Sequence, residues 1–250
     1  RAALADGLTL TVAGAGNPNS GKTTLFNALT GLRHRVGNYP GVTVEWRSAP
    51  LRSERSIRLL DLPGLYSLAT GSPDEGIARD VLLGLVPGVP RPGGVLIVAD
   101  ASNLERNLYL AAQVIELGLP TVVACNKVDR LERSGLALEA EKLSAALGVP
   151  VVATAASRGR GMAELAEALR EMKARTSEGC GRRWKFSEDI EAAAGRVAEA
   201  VRRCGYLSPR SADGVALLLL DQDESTSDGR VPEGVGEALR EAILRLGPAC

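Results

Sequence analysis

The densest chemistry in the chain lies in Gly16-Asn17-Pro18-Asn19-Ser20-Gly21-Lys22-Thr23, with Thr24 beside it, a fit to the pattern GxxxxGK[ST]. Between a strand and a helix, glycines in such a loop let backbone N–H groups turn inward around a β-phosphate. Lys22 would bring a point charge to the β- and γ-phosphates, and the Thr23 hydroxyl would ligate Mg²⁺. The bland alternative is a glycine-rich turn that caps a helix. A second candidate is Asp61-Leu62-Pro63-Gly64. There Asp61 can hold Mg²⁺ through water, and the Gly64 N–H can sense a γ-phosphate. Alone, a DxxG run is more often an ordinary turn. The third is Asn126-Lys127-Val128-Asp129. A carboxylate such as that of Asp129 accepts two hydrogen bonds from the N1–H and 2-amino group of guanine, donors that adenine lacks. By itself this run reads equally well as a surface turn. All three occur in order at the carboxyl ends of expected strands, where open α/β sheets bind ligands, and together they point to GTP or GDP.

Short aliphatic runs must position these loops. Leu8 to Ala15, Ile57 to Leu60, Val95 to Ala99, Thr121 to Cys125 and Val149 to Ala153 read as buried strands. They are unbroken rather than alternating, as expected when helices cover both faces of a sheet. Thr43 to Leu51 mixes Glu45, Arg47 and Ser48 with apolar residues and reads as an edge strand. Helical patterns occupy Thr23–Leu32, Asp74–Leu83, Ser102–Leu117, Leu136–Leu147 and Met162–Ala174. Ser102 with Glu105 has the spacing of a capping box. The alternation predicts an α/β fold, a mostly parallel sheet flanked by helices.

After about Arg175 the pattern changes. Thr176 to Gly181 is small and polar and reads as a linker. Beyond it stand helical patterns: one capped by Ser187 with Glu188 and Asp189 in its first turn, and one starting at Ser208–Pro209. A third carries Ala238, Leu239, Ala242, Ile243 and Leu246, while Leu217–Leu220 stays open between strand and helix. The expected organisation is a domain over residues 1–175 and a small all-helical domain over 180–250.

A length of 250 residues suits one sizeable domain or two smaller ones. With 45% hydrophobic and 24% charged residues the composition is that of a soluble globular protein, and 3% aromatics means an aliphatic core. The 30 basic and 30 acidic side chains cancel, which removes the simplest argument for a polyanion, so no nucleic acid partner is expected. Cys125, Cys180, Cys204 and Cys250 have no metal-site spacing and read as reduced thiols. No apolar run approaches the roughly 18 residues of a membrane span, and Arg1 to Gly7 lack the apolar stretch of a signal peptide. Starting without Met and stopping just after a helical pattern, the chain is expected to be a fragment of something longer.

Through its three motifs the sequence resembles the Ras-like P-loop GTPases. The resemblance tightens at Asn38-Tyr39-Pro40-Gly41-Val42-Thr43-Val44-Glu45 and Asp61-Leu62-Pro63-Gly64-Leu65-Tyr66-Ser67-Leu68. It continues at Ser72-Pro73-Asp74-Glu75, Ala78-Arg79-Asp80, the Gly21–Gly31 stretch and Arg106-Asn107-Leu108-Tyr109-Leu110. These are similar to the cytosolic G domain of the ferrous iron transport protein B family, from about Leu8 to Ala174. The tail, with Trp184 and Leu217–Asp221, fits the small domain that follows it in that family. The resemblance implies a GTPase that takes GTP to GDP and phosphate with Mg²⁺. It implies a soluble domain at the cytoplasmic face of the cell membrane, serving a Fe²⁺ permease domain absent from this chain, with a homo-oligomer left open.

The resemblance also implies roles for single residues. Thr43 matches the switch I threonine that reaches Mg²⁺ and the γ-phosphate, with switch I near 34–45 and switch II from Asp61 to about Asp80. Asn19 matches the asparagine that marks K⁺-activated members, whose amide oxygen helps hold K⁺; the alternative is a local Asx hydrogen bond that stiffens the loop. Ala156-Ser157-Arg158 matches the fifth, guanine-contacting motif, in which the Ser157 N–H would donate to O6. Its departure from the usual Ser-Ala-Lys predicts modest nucleotide affinity and fast GDP release. Leu65 stands where many Ras-like proteins have a water-orienting Gln, so hydrolysis would rely on Mg²⁺, Lys22, backbone groups or another cation. No switch arginine has a claim to be a finger, although Arg33, Arg35 and His34 are near, and His34 reads as solvated. Nothing resembles an iron site, with one His and scattered cysteines.

Other classes compete with the enzyme. One is a nucleotide-gated binding switch with incidental hydrolysis. Another is an RNA- or ribosome-associated GTPase, which would add a basic domain where this tail mixes arginines with acids. An ATPase of the same fold must explain away Asn126 and Asp129.

Overall fold

A computed structural model describes residues 9–31, 35–38, 45–69, 72–174, 182–204 and 211–220. Thr43, His34, most of the 34–45 tract, the linker Thr176–Gly181, the helix start at Ser208–Pro209 and the helix carrying Ala238 lie outside the described residues. The strands are β1 (Leu10–Gly16), β2 (Arg35–Asn38), β3 (Glu45–Pro50), β4 (Ile57–Asp61), β5 (Gly94–Asp100), β6 (Thr121–Asn126) and β7 (Val151–Ala153). The helices are α1 (Lys22–Thr30), α2 (Pro73–Leu83), α3 (Leu104–Glu116), α4 (Val128–Arg133), α5 (Ala140–Leu147), α6 (Met162–Ala174), α7 (Glu188–Arg203) and α8 (Ala212–Leu220). One sheet of seven strands runs in the order β2-β3-β4-β1-β5-β6-β7. Strands β4, β1, β5, β6 and β7 are parallel, and β2 and β3 join antiparallel.

Because successive side chains in a strand point to opposite faces, the aliphatic runs feed two cores. Val12, Leu59, Leu96, Val98 and Val122 pack with Leu25 and Phe26 of α1 and Leu165 and Leu169 of α6. Ala13, Leu60, Val95, Ile97 and Val123 pack on the other face with Leu82 of α2 and Leu110 and Val114 of α3. The central strands β4, β1, β5 and β6 are thus covered on both faces, the reason their sequences show no alternation. Thr43–Leu51 does not behave as the edge: β3 lies inside the sheet, and β2 covers its outer side. Its polar residues reflect an antiparallel ribbon rather than a terminal position. The four residues of β2 have no apolar run to announce them, and Gly37 pairs with Trp46, whose indole fills the space a Cβ would need. A second departure concerns Ser102. Asp100 accepts from the Ser102 N–H (2.9 Å) and caps a 3-10 turn over Ala101–Asn103, and α3 starts after it. The capping box sits instead at Ser72 and Glu75, where Ser72 Oγ accepts from the Glu75 N–H and Pro73 opens α2.

The tail helices continue the second core. Val197, Val201, Val215 and Leu218 belong to the same apolar cluster as α3 and β5. Leu217–Leu220 resolves as helix, because its apolar residues meet α7 on one side and α3 on the other. Docking is close: a Cβ on Gly214 would lie 2.2 Å from the Glu116 carbonyl oxygen at the end of α3. Trp184 Nε1 donates to Glu116 Oε1 (2.9 Å), and Arg91 Nη2 donates to Ser211 Oγ (2.6 Å). Gly214→Val should therefore push α8 off α3 and lower stability by about 1–3 kcal/mol. Urea denaturation checks this, and an unchanged midpoint would mean that the helices do not pack this closely.

Candidate functional site

The phosphate-loop candidates lie where β1 hands over to α1. Gly16 ends the strand, and Lys22 opens the helix behind Gly21, which has φ 89°. Asn19 also has positive φ, 65°, so the loop turns twice through the left-handed region. That curl leaves Thr23 and Thr24 exposed at the start of α1, while Asn17 and Ser20 are buried beneath it. Asn17 Oδ1 and Ser20 Oγ are buried without a hydrogen-bond partner. The Asn19 side chain is exposed and makes no hydrogen bond among the described residues, so the stiffening Asx bond is not made.

Asn126, at the end of β6, ties this loop to the far side of the sheet. Its Nδ2 donates to the Ser20 carbonyl (3.0 Å), and its Oδ1 accepts from the Ala156 N–H (3.0 Å) and Thr154 Oγ1 (3.3 Å). The contact demands glycine next door, since a Cβ on Gly21 would lie 2.3 Å from Asn126 Nδ2. Lys127 adds a second strut, donating from Nζ to the Asn19 carbonyl (2.5 Å) and to Asp100 Oδ2 (2.6 Å). Lys127 itself sits at φ 63°, a left-handed bend from which α4 starts. Burial alone would raise the Asp100 carboxyl, but hydrogen bonds from Lys127 and Ser102 outweigh it and hold the group below its ordinary range. Just before Asn126, burial pushes the Cys125 thiol up to about 12, which marks it as core.

Asp129 faces the same space from α4. A cavity of about 300 Å³ is lined by Gly21, Asn126, Lys127, Asp129, Ser157 and Arg158, among others. The Asp129 carboxylate pairs with Arg158 Nε (3.1 Å) and lies 3.5 Å from Arg133 Nη2. The Ala156–Arg158 stretch forms a 3-10 turn across the cavity, and the Ser157 N–H has no acceptor among the described residues. The structure thus brings the first, third and fifth sequence motifs to one pocket.

The Asp61–Gly64 segment approaches from β4. Lys22 Nζ forms an ion pair with Asp61 Oδ1, so these two candidates touch directly. Gly64 rests on Pro18, where a Cβ would come within 3.2 Å of the proline ring. Leu65 is fully buried in the apolar core, and its N–H donates to the Gly16 carbonyl (3.2 Å). Its side chain anchors the segment in the core, while its backbone is bonded to the first residue of the phosphate loop. Gln113 of α3 had no place in the motif reading, yet its Oε1 accepts from the Leu68 N–H (2.8 Å) and Ser67 Oγ (3.1 Å). Its signal was present: a lone amide within the apolar stripe of Leu110, Ala111, Val114 and Ile115. Arg106, also on α3, stacks on the Tyr66 ring at 3.9 Å and accepts at its carbonyl from Asn17 Nδ2 (3.4 Å). Asp100 was likewise missed, although an acid at a strand's carboxyl end in such a sheet invites attention.

A glycine-rich loop between the first strand and helix, a DxxG segment beside it and an NKxD strand end over a shared pocket define the class, a Ras-like P-loop G domain. A family profile described as Ferrous iron transport protein B matches residues 10–169. The Fe(2+) transporters FeoB of Shigella flexneri and Escherichia coli (strain K12) are each 46% identical over 167 residues, which is 66% of this chain and 21% of theirs. The crystal structure of an S. thermophilus NFeoB mutant bound to GDP matches with a TM-score of 0.82 and 37% identity, covering 94% of this chain and 89% of that one. The mGMPPNP-bound NFeoB from S. thermophilus matches with a TM-score of 0.75 and 38% identity, covering 93% and 85%. This chain belongs to the ferrous iron transport protein B family and corresponds to its G domain. It spans about a fifth of the length of the transporters it matches. Among the described residues no helix is long and apolar enough to cross a membrane.

The Asp100–Lys127 strut has a pH signature. A carboxyl held low in the folded state stabilises the fold above its unfolded pKa, and the contribution disappears as pH falls through the folded value. Asp100→Asn should therefore lower stability at neutral pH, with the gap to wild type closing in acid. Denaturation midpoints across pH check this; a gap that stayed constant would remove the strut from the account.

Proposed function

We propose that the chain binds guanine nucleotides and hydrolyses GTP to GDP and phosphate, as the regulatory G domain of a membrane Fe²⁺ transporter. The observation that carries the reading is the Asn126 amide, which holds the phosphate loop and the Asp129–Ser157 pocket in one frame. The S. thermophilus relatives, bound to GDP and mGMPPNP, support the same ligand class here. Transport and iron belong to the whole protein, whose further length would include the permease. The cytoplasmic face of the membrane is the location this implies, and residues 1–175 and 180–250 are proposed as the G domain and its helical companion.

The donor set suits the metal: the exposed Thr23 hydroxyl and the Asp61 carboxylate are hard oxygens of the kind Mg²⁺ takes beside phosphates. Mg²⁺ with the nucleotide would supply Lewis-acid neutralisation of charge on the β- and γ-phosphate oxygens. Lys22 leaves Asp61 for the phosphates and stabilises their developing charge, and the Gly64 N–H senses the terminal phosphate. Thr43 is proposed as the switch I ligand. Leu65, buried, cannot orient water, which leaves room for a K⁺ held by the exposed Asn19 amide. It equally favours the second reading, a switch with incidental hydrolysis. Gln113 and Glu116 share one turn of α3, the first on the Leu68 backbone and the second against Gly214 and Trp184. That turn is the proposed route from switch II to the tail.

GTP turnover in KCl and in NaCl at equal ionic strength tests the mechanism, with Lys22→Ala as the blank. Acceleration by K⁺ that disappears in Asn19→Ala is the expected result. Equal slow rates would leave the binding switch as the better reading. Asp129→Asn should cut the preference for GTP over ATP by about 100-fold or more without abolishing phosphate binding. Full guanine selectivity in that variant would overturn the base assignment.

A further inference from the structure

We propose that Arg158 competes with the guanine base for the Asp129 carboxylate and thereby sets how weakly guanine nucleotides are held. The inference rests on the guanine reading of the pocket and adds to it a residue that works against binding. Asp129 Oδ2 lies 3.1 Å from Arg158 Nε, and the two side chains are 13% and 63% exposed. The acid is thus sunk in the wall of the cavity, while the guanidinium reaches it from the solvent side. Arg133 is a different case. It stands one turn from Asp129 on α4, where its Nε donates to the Asp129 carbonyl (3.0 Å) and its Nη2 reaches the same Oδ2 at a longer 3.5 Å, both contacts local to the helix. Arg158 arrives from the opposite wall, on the 3-10 turn that also carries the Ser157 N–H.

Guanine presents two parallel donors, N1–H and the 2-amino group, and needs both oxygens of the carboxylate to receive them. One of those oxygens already sits in an ion pair with the Arg158 guanidinium at 3.1 Å. Entry of the base therefore replaces the Arg158 ion pair with a hydrogen bond at Oδ2, and only the bond at Oδ1 is an outright gain. Apparent affinity then falls by the fraction of molecules in which Arg158 has swung clear. An exposed pair of this kind can open readily, because its net strength is small. The modest affinity expected from the altered fifth motif acquires a specific cause, a side chain rather than a missing backbone contact.

Equilibrium titrations with fluorescent ribose-labelled GDP, ADP and xanthosine diphosphate test the proposal on the intact chain. Arg158→Ala should tighten GDP binding by roughly two- to fivefold, the range of an exposed ion pair. Xanthine offers an acceptor where guanine has its 2-amino group, so Asp129→Asn should bind xanthosine diphosphate. In that background the amide gives Arg158 no charge to hold, and adding Arg158→Ala should leave affinity unchanged. Unchanged or weaker GDP binding by Arg158→Ala would overturn the competition. So would equal tightening of xanthosine diphosphate in the Asp129→Asn background. A wild-type chain that bound ADP as tightly as GDP would instead overturn the guanine reading itself, and the competition with it.

Discussion

One buried amide sets the geometry on which the site depends. The Asn126 side chain is 3% exposed and bonds the carbonyl of Ser20, the N–H of Ala156 and the hydroxyl of Thr154. A buried amide left unsatisfied costs about 1–3 kcal/mol, so its partners cannot drift without penalty. The phosphate loop, the end of β6 and the turn after β7 are therefore held in register by a single group. Gly21 is bound to this arrangement, because any Cβ there would collide with the amide. The strut from Lys127 to Asn19 and Asp100 acts in the same sense, adding a charged contact to a neutral one.

Charge is handled in the same paired fashion. Lys22 meets Asp61, Lys127 meets Asp100, and Asp129 meets Arg158. Each pair lets a half-buried charge persist near others of like sign, which an unpaired ion could not do without a large desolvation cost. Under the proposed function two of the three pairs must open, Lys22 to reach phosphates and Asp129 to reach a base. The pair that stays closed is the one that holds the loop.

The third constraint is mechanical and runs through α3. Its first turn holds Tyr66 and Asn17 through Arg106, and its last turn holds both Leu68 through Gln113 and the tail through Glu116. A rigid helix with attachments along its length moves them together or not at all. The tail shares an apolar cluster with the sheet, so an independent tail domain would have to separate from that cluster to move alone.

Sequence alone determined the parallel core strands, the placement of three motifs at their carboxyl ends and the identity of the phosphate loop. These depend on near neighbours: aliphatic runs, glycines at turns, and a lysine and threonine at fixed spacing. Tertiary structure decided the rest. Strand β2 has no apolar run and exists because β3 offers it an edge and Trp46 covers Gly37. Leu65 occupies a familiar place in a motif, yet packing turns its side chain into the core. Gln113 joins the site from 45 residues beyond Leu68, and Arg158 finds Asp129 across the cavity. No local pattern encodes such partners, because which face of a loop looks inward is settled only when distant elements compete for the same space.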